Sequence, residues 1–276
     1  LQGNVDQDTK WRPENRRKIF EDYVDLSKSE QGRDLIVWPE ASLTFLRESI
    51  SSELSVYGDS LDANGTGLIF GIPSLTKAGD FQNTLLGIGK AEGSYKKRRL
   101  VPFGEFVPME EHLRGVISFF DLPMSRNIPG PSVQSPLSIN GKNISSSICY
   151  EIAYPDLVRG ADDDPAFILT VSNDTWFGSS IGPWQHLQLA RMRALENERW
   201  LIRATNNGVT AVINRKGQVL ASLPQFARGV LRHDVEMRSG HTPFQRFGSW
   251  PILSIAFAVL IFCTNRIQKI KTASGI

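Results

Sequence analysis

Cysteine is scarce in this chain: 276 residues hold two, Cys149 and Cys263. Two thiols make no disulfide framework, and neither lies in a CxxC or Cys/His spacing of the kind that holds zinc. A strong charge of either sign is also missing. The net charge of +2 is close to neutral and points to no dedicated nucleic-acid surface. No internal repeat or low-complexity segment occurs. There is no initiating Met either: the chain opens at Leu1 with LQGNV, which reads as a strand start. A fragment or processed product is therefore expected.

With 41% hydrophobic and 22% charged residues, the chain suits a globular protein with a substantial core. Its clearest organisational signal is the C-terminal run WPILSIAFAVLIFC (250–263), fourteen residues without a charge. A bilayer span needs about 20 residues, and FGSWPILSIAFAVLIFCTN reaches that length. Trp250 suits an interfacial anchor, and Arg266, Lys269 and Lys271 follow with no acidic residue among them. That asymmetry predicts a basic cytoplasmic tail; the bland alternative is a buried core helix. The expected organisation is a folded unit over 1–245, a transmembrane helix over 246–265 and a tail over 266–276. Cys263 then lies in the membrane, and Cys149 is a free thiol in any redox compartment.

Upstream, DLIVW (34–38), GLIFGIP (67–73), NTLLGIG (83–89), ISSSICY (144–150), FILTVSN (167–173) and WLIRATN (200–206) read as strands. TAVINRKGQVLASL (210–223) reads as a hairpin turning at Arg215-Lys216-Gly217. PWQHLQLARMRALENER (183–199) has good helix formers and no internal Pro or Gly. Apolar strands alternating with helices indicate an α/β fold whose sheets are covered on both faces. Residues 106–130 form a long, partly amphipathic excursion carrying Phe119, Phe120, Leu122 and Met124, a candidate lid or lipid-entry arm or else an ordinary packed loop.

Three strand ends carry chemistry. In WPEAS, Pro39 stops regular pairing, so Glu40 is delivered at the sheet's edge; the plain alternative is a solvated loop carboxylate. In YKKRRLVPFGEF, one cation held against a carboxylate would stabilise a developing oxyanion. Spacing alone leaves Lys96, Lys97, Arg98 and Arg99 open. In SSSICYEIAYPDLVR, a strand ends at Cys149 and Pro155 suits the first turn of a helix, the layout of a nucleophile elbow. A thiol there needs a neighbouring base. None of His112, His186, His233 and His241 stands in the setting of a Cys–His protease. On spacing alone Cys149 is either a nucleophile or a buried structural thiol.

Taken together, a Glu after WP, a Lys before LVPFGE and a Cys before YE resemble the Glu–Lys–Cys triad of the nitrilase, or carbon–nitrogen hydrolase, superfamily. WPEAS, RLVPFGEFVP, ICYE, SNDTWFGSSIGPWQH, RMRALE and TNNG resemble one branch more narrowly, the bacterial apolipoprotein N-acyltransferases, over about 1–245 and on into the terminal helix. The resemblance implies an αββα sandwich followed by one transmembrane helix. It makes Glu40 the general base, Lys97 the oxyanion-stabilising lysine and Cys149 the nucleophile, with Glu105, Tyr150, Glu151 and, from the variable KW segment, Trp11 in supporting positions. It implies ping-pong transfer of an acyl chain from a phospholipid such as phosphatidylethanolamine, through a cysteine thioester, to the α-amine of a diacylglyceryl-cysteine apolipoprotein. No metal, cofactor or nucleic acid takes part. The domain would face the periplasm from the bacterial inner membrane, with any preceding membrane helices outside this chain. Two rivals are a membrane-tethered hydrolase of a small amide, nitrile or carbamoyl substrate and an inactive binding module on the same scaffold.

Overall fold

A computed structural model describes residues 1–106, 127–160 and 164–274, with side chains of the last helix as far as Arg266. Phe119, Phe120, Leu122 and Met124 of the expected arm lie outside the described residues. Eleven strands occur among the described residues: β1 (Leu35–Val37), β2 (Gly67–Leu75), β3 (Phe81–Gly89), β4 (Ala91–Glu92), β5 (Ser94–Lys96), β6 (Leu137–Ile139), β7 (Lys142–Ile148), β8 (Phe167–Ser172), β9 (Leu201–Thr205), β10 (Ala211–Ile213) and β11 (Val219–Ser222). The helices are α1 (Gln7–Lys10), α2 (Arg16–Lys28), α3 (Ser51–Ala63), α4 (Pro155–Arg159), α5 (Gly182–Asn197), α6 (Pro243–Phe247) and α7 (Trp250–Ser274).

The strands form two sheets, ordered β1-β2-β3-β5 and β11-β10-β9-β8-β7-β6-β4. β1 runs parallel to β2, and β7, β8 and β9 run parallel to one another. Period-two alternation sends neighbouring side chains to different cores. Leu68, Phe70 and Ile72 of β2 join Ile19, Phe20 and Tyr23 of α2 and Leu54 and Leu61 of α3. Ile69, between them, joins Phe167, Leu169 and Val171 of β8 in the core between the sheets. Ile168 turns the other way, onto Leu187, Ala190 and Ala194 of α5. Three cores separating four layers make the αββα sandwich expected from the sequence.

The strands expected from residue 34 onward are present, trimmed or extended by a few residues, and the helix expected over 183–199 is α5; the strand start read at LQGNV is only an isolated bridge from Gln2 to Gly229. One boundary matters for the chemistry: β7 stops at Ile148, and Cys149 opens a tight 3-10 turn, Cys149–Ala153, that leads into α4. The C-terminus departs from expectation. The segment 246–265 is not one helix, because Gly248 adopts a left-handed φ of 58° and ends α6 before α7 begins. Among the described residues, no helix is long and apolar enough to cross a membrane. Along α7, Trp250, Ile252, Leu253, Ile255, Phe257, Val259, Leu260, Ile261 and Phe262 are all exposed.

Candidate active site

Glu40 owes its place to Trp38 and Gly71. After β1 the chain continues beside β2, with the Trp38 N–H on the Ile69 carbonyl (3.0 Å) and the Trp38 indole N–H on the Ser27 hydroxyl (2.9 Å). Trp38 stacks on Tyr23 with ring centres 5.1 Å apart. A Cβ on Gly71 would collide with the backbone of Glu40 and Ala41, so the glycine lets the WPE segment lie flat on β2. Glu40 is thereby only 6% exposed. Its Oε1 accepts from Asn83 Nδ2 at 2.8 Å and from Lys97 Nζ at 3.3 Å, and its Oε2 accepts from the Asn173 backbone N–H at 2.8 Å.

Lys97 follows β5, its N–H on the Asn83 carbonyl (2.9 Å) and its carbonyl accepting from Gly130 (2.7 Å). Its Nζ is fully buried between two carboxylates, 2.9 Å from Glu105 Oε1 and 3.3 Å from Glu40 Oε1. Burial alone would draw the ammonium down, but Glu40, Cys149 and Glu105 together hold it above its ordinary value. Glu105 is itself fixed, its second oxygen accepting from the Val101 N–H at 2.9 Å.

Cys149 has a φ of 53°, a left-handed conformation that a cysteine adopts only when its surroundings impose it. The strained turn after a parallel strand lifts the thiol out of the sheet. Cys149 as a residue is partly exposed, yet burial of the thiol, reinforced by the Glu40 charge and eased by Lys97, pushes it up to about 12. The resting group is thus a thiol, and a base must take its proton before it can act.

Glu151 joins the pieces. Its fully buried carboxylate accepts from the N–H groups of Arg98 (2.6 Å) and Arg99 (3.1 Å) beyond Lys97, from that of Ile148 (2.8 Å) before Cys149, and from the Tyr95 hydroxyl at 3.0 Å. Burial raises its pKa despite these donors. Tyr150 is half-buried and packs edge-on to Tyr154, ring centres 5.1 Å apart. Trp11 sits at the end of α1, and its indole N–H is buried without a partner among the described residues.

Several residues here had no assigned role in the sequence reading. Lys10 is fully buried, and its Nζ donates to the Glu40 carbonyl at 3.3 Å. Burial pulls its ammonium down to about 8, with Glu40 opposing. Asn83 bridges Glu40 and Glu105, reaching the latter at 3.4 Å. Asp174, Arg203 and His186 form a buried cluster below Cys149, with the Arg203 guanidinium 2.6 Å from Asp174 Oδ2. Burial would raise the Asp174 carboxyl, but Arg203, His186 and Ser172 hold it well below the carboxylate range. The only signals were the strings SNDTWFG, GPWQH and TNNG; a Cβ on Gly208 of the last would strike the Asp174 side chain.

A buried carboxylate, an ammonium and a thiol thus meet on three strand ends, a set able to deprotonate a nucleophile and balance a tetrahedral oxyanion. The carbon-nitrogen hydrolase family model matches residues 2–241. An apolipoprotein N-acyltransferase of Pseudomonas aeruginosa is 44% identical over 266 residues, 95% of this chain and 52% of that protein. One from Vibrio vulnificus is 42% identical over 273 residues, 94% of this chain and 54% of that protein. The chain therefore spans about half the length of these curated relatives. Among solved structures, a Nesterenkonia amidase of the nitrilase superfamily matches with a TM-score of 0.52 at 20% identity, covering 83% of each chain. The NitFhit protein of C. elegans matches with a TM-score of 0.56 at 15% identity, over 76% of this chain and 55% of that one. At these identities the two structures bear on the fold alone.

Proposed function

The chain belongs to the carbon-nitrogen hydrolase family, and we propose that it is the catalytic part of an apolipoprotein N-acyltransferase, working through a cysteine thioester. The observation that carries this reading is the convergence of Glu40, Lys97 and Cys149, with Lys97 Nζ 3.3 Å from Glu40 and its charge felt by the thiol.

Glu40 takes the Cys149 proton as sulfur attacks the ester carbonyl of a phospholipid, phosphatidylethanolamine being the expected donor. Lys97 and the Tyr150 N–H face the tetrahedral oxyanion, and each such donor is worth a few kcal/mol. The ester C–O bond then breaks, and Glu40 returns the proton to the departing lysophospholipid alkoxide. In the second half, the α-amine of a diacylglyceryl-cysteine apolipoprotein attacks the thioester. The amide C–N bond forms, the C–S bond breaks, and the amine proton passes to the sulfur through Glu40. Glu105 and Asn83 hold Lys97 and Glu40 in register, and Glu151 locks the lysine strand to the cysteine turn.

The exposed apolar surface of α7 supports membrane attachment. We assign α7 to membrane attachment and 266–276 to a basic tail, with the catalytic unit 1–245 on the periplasmic face of the inner membrane. Trp11, whose indole N–H is unclaimed among the described residues, is a substrate-facing candidate.

The reading is tested by incubating the protein in phosphatidylethanolamine vesicles with a diacylated lipopeptide. Triacylated peptide and lysophospholipid should appear in equal amounts and be lost in Glu40→Ala. Release of free fatty acid without peptide acylation would make the protein a hydrolase instead.

A further inference from the structure

We infer that His186 is a positioning residue that aims the oxyanion-binding N–H of Tyr150 by gripping the carbonyl of Cys149; this rests on the thioester reading above. His186 Nε2 lies 3.0 Å from the Cys149 carbonyl oxygen. A carbonyl only accepts, so Nε2 carries the hydrogen and donates. The ring's other nitrogen, Nδ1, lies 3.1 Å from Arg203 Nη2 and 3.1 Å from Asp174 Oδ1. Arg203 in turn binds Asp174 Oδ2, and the Ser172 hydroxyl donates to Asp174 Oδ1, both at 2.6 Å. All four side chains are buried, and Phe177 closes the ring from its edge with centres 6.3 Å apart. The imidazole therefore has one orientation and one available tautomer on its Cys149 side.

The peptide joining Cys149 to Tyr150 is a rigid trans plane, in which C=O and N–H point in opposite directions. Fixing the carbonyl on His186 consequently fixes the Tyr150 N–H on the far side. Without that grip the plane is held only by the short 3-10 turn that Cys149 opens, and the strained left-handed φ of 53° at its first residue lets it relax to another orientation. His186 bonds the backbone of Cys149 rather than taking part in the chemistry at its thiol. It is neither a base nor an acid, and its effect is confined to steps that build an oxyanion.

Two reactions of the same thiol separate this role from mere support. Acylation by phosphatidylethanolamine vesicles, followed by intact mass, passes through an oxyanion; alkylation by iodoacetamide is a displacement at carbon and does not. His186→Phe should slow acylation ~10- to 100-fold at a near-normal KM for lipid, while alkylation keeps the wild-type rate. His186→Gln, which retains a donor at the Nε2 position, should recover most of the loss. His186→Asn, whose amide is too short to reach the carbonyl, should not, and it serves if the Phe variant fails to fold. Wild-type acylation in both the Phe and Asn variants, or a parallel fall in both reactions, would overturn the inference. A wild-type protein that alkylates but never acylates would overturn the thioester reading and the inference with it.

Discussion

The Glu151 carboxylate accepts the backbone N–H of Arg98 at 2.6 Å, one residue beyond Lys97, from a position two residues beyond Cys149. A single buried side chain thereby sets the distance between the ammonium and the thiol. Every recorded partner of Glu151 is a donor: three backbone N–H groups and the Tyr95 hydroxyl. Glu151→Gln replaces one acceptor oxygen with an NH2 group that must oppose one of those donors. It should destabilise the fold by roughly 1–3 kcal/mol and lower acyl transfer on the order of 10²-fold through misplacement of the reacting groups. Denaturant melts read alongside turnover check this. Turnover equal to wild type would mean that Glu151 has no say in the site's geometry.

Thiol reactivity should move in opposite directions in two inactive variants. Burial and the Glu40 charge push Cys149 up to about 12, and Lys97 opposes them. Alkylation of the wild type should therefore keep rising beyond pH ~8.5, where a free cysteine levels off. Glu40→Gln removes a charge that disfavours the thiolate, so it should alkylate faster at a given pH while losing acyl transfer. Lys97→Met removes a charge that favours it and should alkylate more slowly. Both rates shifting the same way would contradict the charge arrangement.

Lys10 predicts a pH-dependent stability of unusual sign. Burial pulls its ammonium down from 10.5 to about 8 in the folded protein, with the Glu40 charge opposing. Between those values the unfolded chain binds the extra proton, so unfolding becomes harder as pH rises. Below that window the charged lysine is buried at a cost of up to about 3 kcal/mol. Lys10→Met should then be more stable than wild type near neutrality, and the gap should close as pH rises through the window. A gap independent of pH would show that Lys10 does not titrate there.

The C-terminal helix offers a separate test. Leu253 and Val259 are 56% exposed on α7, and a charge there is expensive only if the helix enters lipid. Leu253→Arg with Val259→Arg should release the protein from vesicles while leaving its thermal melt unchanged. Unchanged sedimentation with vesicles would remove the helix from membrane attachment.

How much of this was readable beforehand follows from how each residue is held. Pro39 and the strand-end pattern marked Glu40 and Cys149 as candidates, while their roles came from the family resemblance. Lys97 was legible only through resemblance, since four adjacent cations look alike until the fold buries one. The strained φ of Cys149 left no local trace: cysteine has no preference for that conformation, and packing imposes it. Asn83 read as an ordinary strand residue, although its side chain bridges Glu40 and Glu105. Lys10 and His186 were passed over because their roles come from residues 30 and 37 positions away. The short strands β4, β5 and β6 were also missed, being too brief to show a period.

The most direct measurement is the intact mass of the full chain after exposure to phosphatidylethanolamine vesicles, with and without a diacylated lipopeptide. A fatty-acyl adduct should appear on Cys149, be absent from Cys149→Ser, and disappear on addition of the lipopeptide as a triacylated product forms. No adduct, or one that only water discharges, would contradict N-acyl transfer by this site.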